Sequence, residues 1–251
     1  MEFKKLHHQR HPLLLCNVWD VPSTRVAENL NFKAVGTSSS AIASLLSYKD
    51  GEELEFSELE SIVKRIVSNT RLPVSVDLES GYSRKPSEIV EHIKRLAQLG
   101  VVGINIEDSI VQNERTLLDA HEFTQTLSEV KERLLKQDID IFINVRTDTF
   151  LLGVENTISE TKKRIKLNEN TGADGIFTPC IVNKHDIEEI VDDTHLPINV
   201  MYMPNLPDFS TLHNLGVKRI SMGNFLFDKM YGNLEKITQN ILMDNSFKTI
   251  F

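Results

Sequence analysis

Eight short β-rich runs punctuate the chain, at 13–18, 33–37, 73–77, 101–106, 139–145, 173–177, 197–201 and 217–221, and a stretch that reads as helix follows each. The clearest helix runs from Pro86 to Leu99, with Ile89, Ile93, Leu96 and Ala97 on one face and Gly100 placed to stop it. Strand and helix in strict alternation require a parallel sheet covered on both faces. Eight such units close into an α/β fold of the (β/α)8 TIM-barrel type, and 251 residues fit one such domain spanning 1–251. Local punctuation agrees. Leu72-Pro73 and Leu196-Pro197 put proline at a strand's first residue, where its missing N–H does least harm, and Gly100-Val101 and Leu215-Gly216-Val217 make short helix-to-strand turns.

Three consecutive runs end in charge. The run Val74-Ser75-Val76 leads into Asp77-Leu78-Glu79-Ser80-Gly81-Tyr82, the next into Glu107-Asp108, and the one after it into Arg146-Thr147-Asp148. On a continuing strand residues i and i+2 share a side, which predicts that Asp77 and Glu79 converge. Oxygen ligands at a strand tip suit a hard divalent cation such as Mg²⁺. In a barrel of this class the active site lies at the C-terminal strand ends, where these residues fall. A dication beside an arginine stabilises the enolate left when a bond next to a carbonyl breaks.

Net charge is −8 with no basic stripe, which excludes a nucleic-acid-binding role. Cys16 and Cys180, far apart and in apolar surroundings, are expected to be free thiols in a reducing cytoplasm. Leu13-Leu14-Leu15 is too short for a signal sequence or a membrane span. His7-His8-Gln9-Arg10-His11 has no spacing that defines a metal site and reads as a solvated lead-in.

The segments Asn17-Val18-Trp19-Asp20, Ala34 to Ser39, Tyr48-Lys49-Asp50-Gly51, Asp77 to Tyr82, Ile104 to Asp108 and Asn144 to Asp148 together resemble the isocitrate lyase / phosphoenolpyruvate mutase superfamily over nearly the whole chain. The family's strand tip reads D-x-D-T-G-Y/F-G; here Glu79, Ser80 and Ser83 replace the second Asp, the Thr and the last Gly. The resemblance implies a Mg²⁺ ion, with Mn²⁺ as the alternative, holding a 2-oxo acid or its enolate. It places Asp77, Glu79 and Glu107 around the metal, partly through water, with Asp50 close by. Amides around Thr37, Ser38 and Ser39 would hold a substrate carboxylate, and Arg146 would pair bidentately with anionic oxygens. Asn199, ending the seventh run, either reaches the site or bonds neighbouring backbone. The resemblance further implies a homodimer or homotetramer in which the last helix is exchanged between subunits.

The chain also departs from its relatives' patterns. Where the lyases carry K-[KR]-C-G-H and the phosphonate-processing members K-T-N-S, it has Ser109 to Thr116, with neither cysteine nor histidine. Ile176 to Cys180 lacks the lyases' glutamate, and Cys180 has no basic neighbour in sequence to activate it. A final amphipathic helix is expected over about 233–246, with Leu234, Ile237, Ile241 and Leu242 on one face, followed by an apolar tail of Phe247, Ile250 and Phe251. These features predict a Mg²⁺-dependent enzyme that makes or breaks a C–C or C–P bond beside the enolate of a small carboxylate. The alternative is a protein of the same fold that binds metal and carboxylate without turnover. A variant of the enzyme reading gives Tyr82 or a bound water the acid/base role.

Overall fold

A computed structural model describes residues 2–250. Ahead of the barrel lie α1 (Glu2–Lys5) and a 3-10 turn (Leu6–His8). The first barrel strand comes in two pieces, β1 (Leu13–Leu14) and β2 (Cys16–Val18). Then come α2 (Val21–Asn29), β3 (Val35–Thr37), α3 (Ser39–Leu45), α4 (Phe56–Val67), β4 (Val74–Asp77), α5 (Pro86–Leu99) and β5 (Gly103–Glu107). A hairpin of β6 (Ser109–Val111) and β7 (Arg115–Leu117) leads to α6 (Ala120–Lys136), β8 (Phe142–Arg146), α7 (Thr149–Leu152) and α8 (Thr157–Glu169). The chain closes with β9 (Gly175–Thr178), α9 (Lys184–Asp192), β10 (Ile198–Met201), α10 (Phe209–Asn214), β11 (Arg219–Ser221) and α11 (Phe225–Asp244).

All barrel strands pair in parallel, in the order β1-β11-β10-β9-β8-β5-β4-β3-β2. Because β1 and β2 are halves of one run joined at Leu15, whose N–H bonds the Ile220 carbonyl, the ring is closed. The register sets Asp77 beside Asn105 and Glu107 beside Arg146, so the charged tips fall at one end. Aliphatic side chains, among them Val76, Ile104, Ile143, Ile176 and Val200, fill the layer between sheet and helices. No helix among the described residues is long and apolar enough to cross a membrane.

Helix α5 begins at Pro86 and stops at Gly100, whose φ of 101° is the left-handed stop expected of glycine. Four expectations need correction. The strand at the key tip ends at Asp77, as the 73–77 run has it, so the pleat expected to bring Glu79 to the side of Asp77 does not reach Glu79. Residues 109–117, where no strand is expected, form a two-stranded antiparallel hairpin. The last helix starts at Phe225, eight residues before the expected start, because Phe227 packs edge-on against Trp19 and holds its first turn on the barrel. Finally, His7 is not solvated: it is buried against Phe3 and Phe142 in a small cluster with Leu13, Leu15 and Ala34. Of the apolar tail, Phe247 and Ile250 are exposed, while Phe251 lies outside the described residues.

Candidate active site

The strand tips open on a cavity of about 250 Å³. Ser38, Ser39, Asp50, Asp77, Arg115 and Arg146 supply much of its polar wall, while Leu151, Phe177, Pro179 and Met201 supply an apolar side. Asp77 is set by its neighbour strand: its N–H donates to Thr37 Oγ1 at 2.9 Å. Ser39 Oγ donates to Asp77 Oδ2 at 2.9 Å, which leaves Oδ1 buried without a hydrogen-bond partner. Thr37 therefore positions Asp77 and is itself buried off the cavity wall. Ser38 caps α3 by accepting from the Ala41 N–H, so the Ser39 and Ser40 amides at the cavity wall have no acceptor within the helix.

Glu79 reaches the site by a route other than the expected pleat. Its backbone is left-handed (φ 47°), as are those of Gly81 and Tyr82, so a tight turn swings its carboxylate inward. Glu52 holds this turn, accepting from Ser80 Oγ at 2.9 Å and from the Tyr82 N–H at 2.6 Å. Tyr82 donates its hydroxyl to Glu79 Oε1 at 3.2 Å, and Glu79 Oε2 is buried without a partner. Burial, followed by the charge of Glu79, pushes the Tyr82 phenol well above its ordinary range. That shift opposes the acid/base role raised for Tyr82, which needs a lowered pKa.

Glu107 and Asp148 anchor two arginines. Arg146 spends both members of its Nε/Nη2 fork on Asp148, at 2.6 and 3.1 Å, and faces Glu107 Oε2 with Nη1 at 2.9 Å, an ion pair outside hydrogen-bond geometry. The fork expected to clasp the substrate is thus already engaged. Arg115, which carried no role in the sequence reading, reaches in from β7 and donates to Glu107, to Ser109 Oγ at 2.9 Å, to Asp148 Oδ2 at 3.2 Å and to Asp50 Oδ2 at 3.1 Å. Two β-prone triplets around Gln112-Asn113-Glu114 were the available signal for the hairpin that delivers it. Behind them Asp108 accepts from Thr147 Oγ1, the Asp148 N–H and Arg164 Nη1, locking the Arg146-Thr147-Asp148 turn in place. Asn199 does not reach the cavity. It is buried inside the barrel, donating to the Val200 carbonyl and Ser221 Oγ and accepting from Asn144.

Around this cavity five carboxylates (Asp50, Asp77, Glu79, Glu107 and Asp148) meet two guanidiniums. Burial first, and then neighbouring negative charge, raises the Glu79 carboxyl to about 9. Burial likewise raises Glu107 to about 8 against the pull of Arg146, and it raises Asp77. A surplus of buried carboxyl groups, with oxygens on Asp77 and Glu79 unpartnered among the described residues, is a setting in which a bound cation would stabilise the ionised forms. Among the described residues no three His, Cys, Asp or Glu side chains converge closely enough to grip an ion unaided. Asp77, Glu79 and Glu107, expected to surround a metal, are thus not assembled as a set of three direct ligands. Cys180 is half-buried with its thiol shifted up by burial, and Cys16 is pushed to about 11 by the same cause; both are unpaired, inert thiols.

The sequence profile of the phosphoenolpyruvate phosphomutase family matches residues 3–242. An uncharacterized protein of Mycobacterium tuberculosis strain H37Rv is 32% identical over 224 residues, 89% of this chain and 82% of that one. An oxaloacetate decarboxylase of Bradyrhizobium diazoefficiens is 28% identical over 203 residues, covering 77% and 68%. Among solved structures, a protein of Burkholderia cenocepacia J2315 assigned provisionally as a phosphonomutase superposes with a TM-score of 0.89 at 32% identity, covering 95% of this chain and 98% of that one.

Proposed function

The chain belongs to the phosphoenolpyruvate mutase/isocitrate lyase superfamily, and from that premise we propose that it is a Mg²⁺-dependent enzyme making or breaking a bond beside the enolate of a small 2-oxo or 2-hydroxy carboxylate. The observation that carries this reading is the Asp77 tip: the residue lines the cavity together with Arg146, and its Oδ1 is buried without a hydrogen-bond partner among the described residues. A C–C bond is favoured over C–P because residues 109–116 hold no Lys-Thr-Asn-Ser sequence.

Asp77 would hold the metal directly, with Asp50, Glu79 and Glu107 bound through water. Bound there, the metal would supply Lewis-acid stabilisation of the negative charge that develops on the substrate's carbonyl oxygen. Ser39 fixes the Asp77 rotamer by donating to Oδ2, which leaves Oδ1 without a hydrogen bond among the described residues. The open amides of Ser39 and Ser40 would accept the substrate's carboxylate. Arg146, locked by Asp148 and Glu107, would place a fixed positive charge by the enolate oxygens with no reorganisation during reaction. The apolar side formed by Leu151, Phe177 and Met201 limits water around the enolate.

The test is thermal unfolding with oxalate, a mimic of the pyruvate enolate, with and without Mg²⁺. Ligand at one hundred times Kd should add about 2.7 kcal/mol of stability. Stabilisation that needs both components in the wild type, and is absent in Asp77→Asn, supports the reading. Equal response of Asp77→Asn and wild type refutes it. The binding-without-turnover alternative draws its support from Tyr82 and Cys180, whose shifts leave neither suited to move a proton near neutral pH. It predicts the same stabilisation but no product from any 2-oxo or 2-hydroxy acid offered.

A further inference from the structure

The two arginines on the cavity wall differ in what they have left to give. A guanidinium grips a carboxylate best through its Nε/Nη2 fork, two parallel N–H groups in one plane. In Arg146 both arms of that fork are held by Asp148. In Arg115 the opposite holds. Its Nη1 carries the anchoring bonds to Glu107, Ser109 and Asp148, while Nε makes no hydrogen bond among the described residues and Nη2 bonds only Asp50. Asp50 is the most exposed of these partners, its side chain 38% accessible against 3% for Glu107 and 0% for Asp148. Arg115 is thus bolted to the buried wall by one end and presents a nearly free fork at the mouth of the cavity it lines.

Its carrier has the same character. Strands β6 and β7 pair with each other and with no barrel strand, so the arginine rides on an element of its own. The inner end of the cavity, with Asp77 and the serine amides, suits the carboxylate head of a 2-oxo or 2-hydroxy acid. The fork of Arg115, next to partly exposed Asp50, lines the same cavity and is available to whatever extends from that head. We propose that Arg115 determines specificity by taking a second anionic group, a distal carboxylate, so that the site selects a dianionic substrate over a monoanionic one. This rests on the enolate-site reading above.

The experiment compares two probes that share a 2-hydroxycarboxylate head, malate with a distal carboxylate and lactate without one. Dissociation constants are measured by calorimetry with Mg²⁺ for wild type, Arg115→Gln and Arg115→Lys, with oxalate as a probe of the head site alone. Any effect of a substitution on the metal or the shared head cancels in the malate-to-lactate ratio. Wild type should favour malate by about 10- to 100-fold, the range expected for hydrogen bonds to a charged group. Arg115→Gln should bring the preference to within about threefold, and Arg115→Lys, which keeps the charge but loses the fork, should fall between. A preference that survives in Arg115→Gln, or its absence from a wild type that still binds oxalate, overturns the assignment of Arg115 alone. If wild type binds none of the three probes with Mg²⁺, the enolate site itself falls and this assignment with it.

Discussion

His7 sits flat on the Phe142 ring, centroids 4.1 Å apart, with Phe3 edge-on at 4.9 Å, in the small apolar cluster at the start of the chain. Its Nδ1 lies 3.1 Å from the Phe3 carbonyl and therefore carries the proton, while Nε2 is buried with no partner. Burial, reinforced by the positive charge of Arg219, lowers its pKa from 6.5 to about 3. Between those values the unfolded chain binds a proton that the folded chain refuses. The contribution of His7 to stability is therefore complete above about pH 6.5 and is lost as pH falls toward 3. Near pH 5 the loss is about 2 kcal/mol. His7→Phe keeps the aromatic contacts and removes the titration, so urea unfolding between pH 7 and pH 5 should cost the variant less than wild type by roughly that amount. Equal losses in the two proteins would assign the acid sensitivity to other groups.

The hairpin packs its Val111 side chain onto Gly51 in the loop before α4. Gly51 has φ of 112°, and a Cβ there would stand 2.5 Å from Cβ and Cγ2 of Val111. Gly51→Ala thus incurs both a strained backbone and a clash, together costing about 1–3 kcal/mol. Because Asp50 is next in sequence and bonds Arg115, the push should also loosen the hairpin. Amide exchange of a peptide spanning 109–117 should quicken, and a lowered melting point without that local change would show that the contact does not hold the hairpin. The same elements show where the sequence was readable. Helix α5 is legible at both ends because Pro86 and Gly100 punctuate it chemically, and the strand tips because β-branched runs stop at charge. Glu79 was placed by the wrong rule. Its inward turn depends on a left-handed residue that is not glycine and on Glu52, twenty-seven positions upstream, and no local pattern encodes either. Arg115 is not legible locally because each hairpin strand is three residues long and its value lies in partners at 50, 107 and 148. The burial of His7 is illegible for a similar reason, since Phe142 covers it from across the chain.

At the scale of the whole molecule the largest unexplained feature is α11. Twenty residues long, it buries only Phe227, while Leu226, Met230, Tyr231, Leu234, Ile237 and Leu242 are exposed along it. Tyr202 and Phe209 stand exposed beside a groove walled by Leu206, Ile220 and Met222, into which the first turn of α11 also faces. Apolar area of this extent on one side of a monomer marks an interaction surface. A second copy of the chain is the occupant that superfamily membership suggests, by exchange of this helix. The mass in solution, measured by light scattering, should then be at least twice the 28.6 kDa of one chain. Leu234→Glu with Ile237→Glu should return it to a single chain, since two desolvated carboxylates in an apolar interface each cost several kcal/mol. A wild type that runs at 28.6 kDa at micromolar concentration would end this idea. The consequence reaches the active site, because Gly223 and Asn224, the two residues leading into α11, line the cavity. Gly223 is held by its own chain, its N–H donating to Asn17 Oδ1 at 3.2 Å, whereas the Asn224 side chain bonds Asp228 of the helix and follows it. Separating the subunits should therefore weaken oxalate binding in the presence of Mg²⁺ even though neither substituted residue lies on the cavity wall.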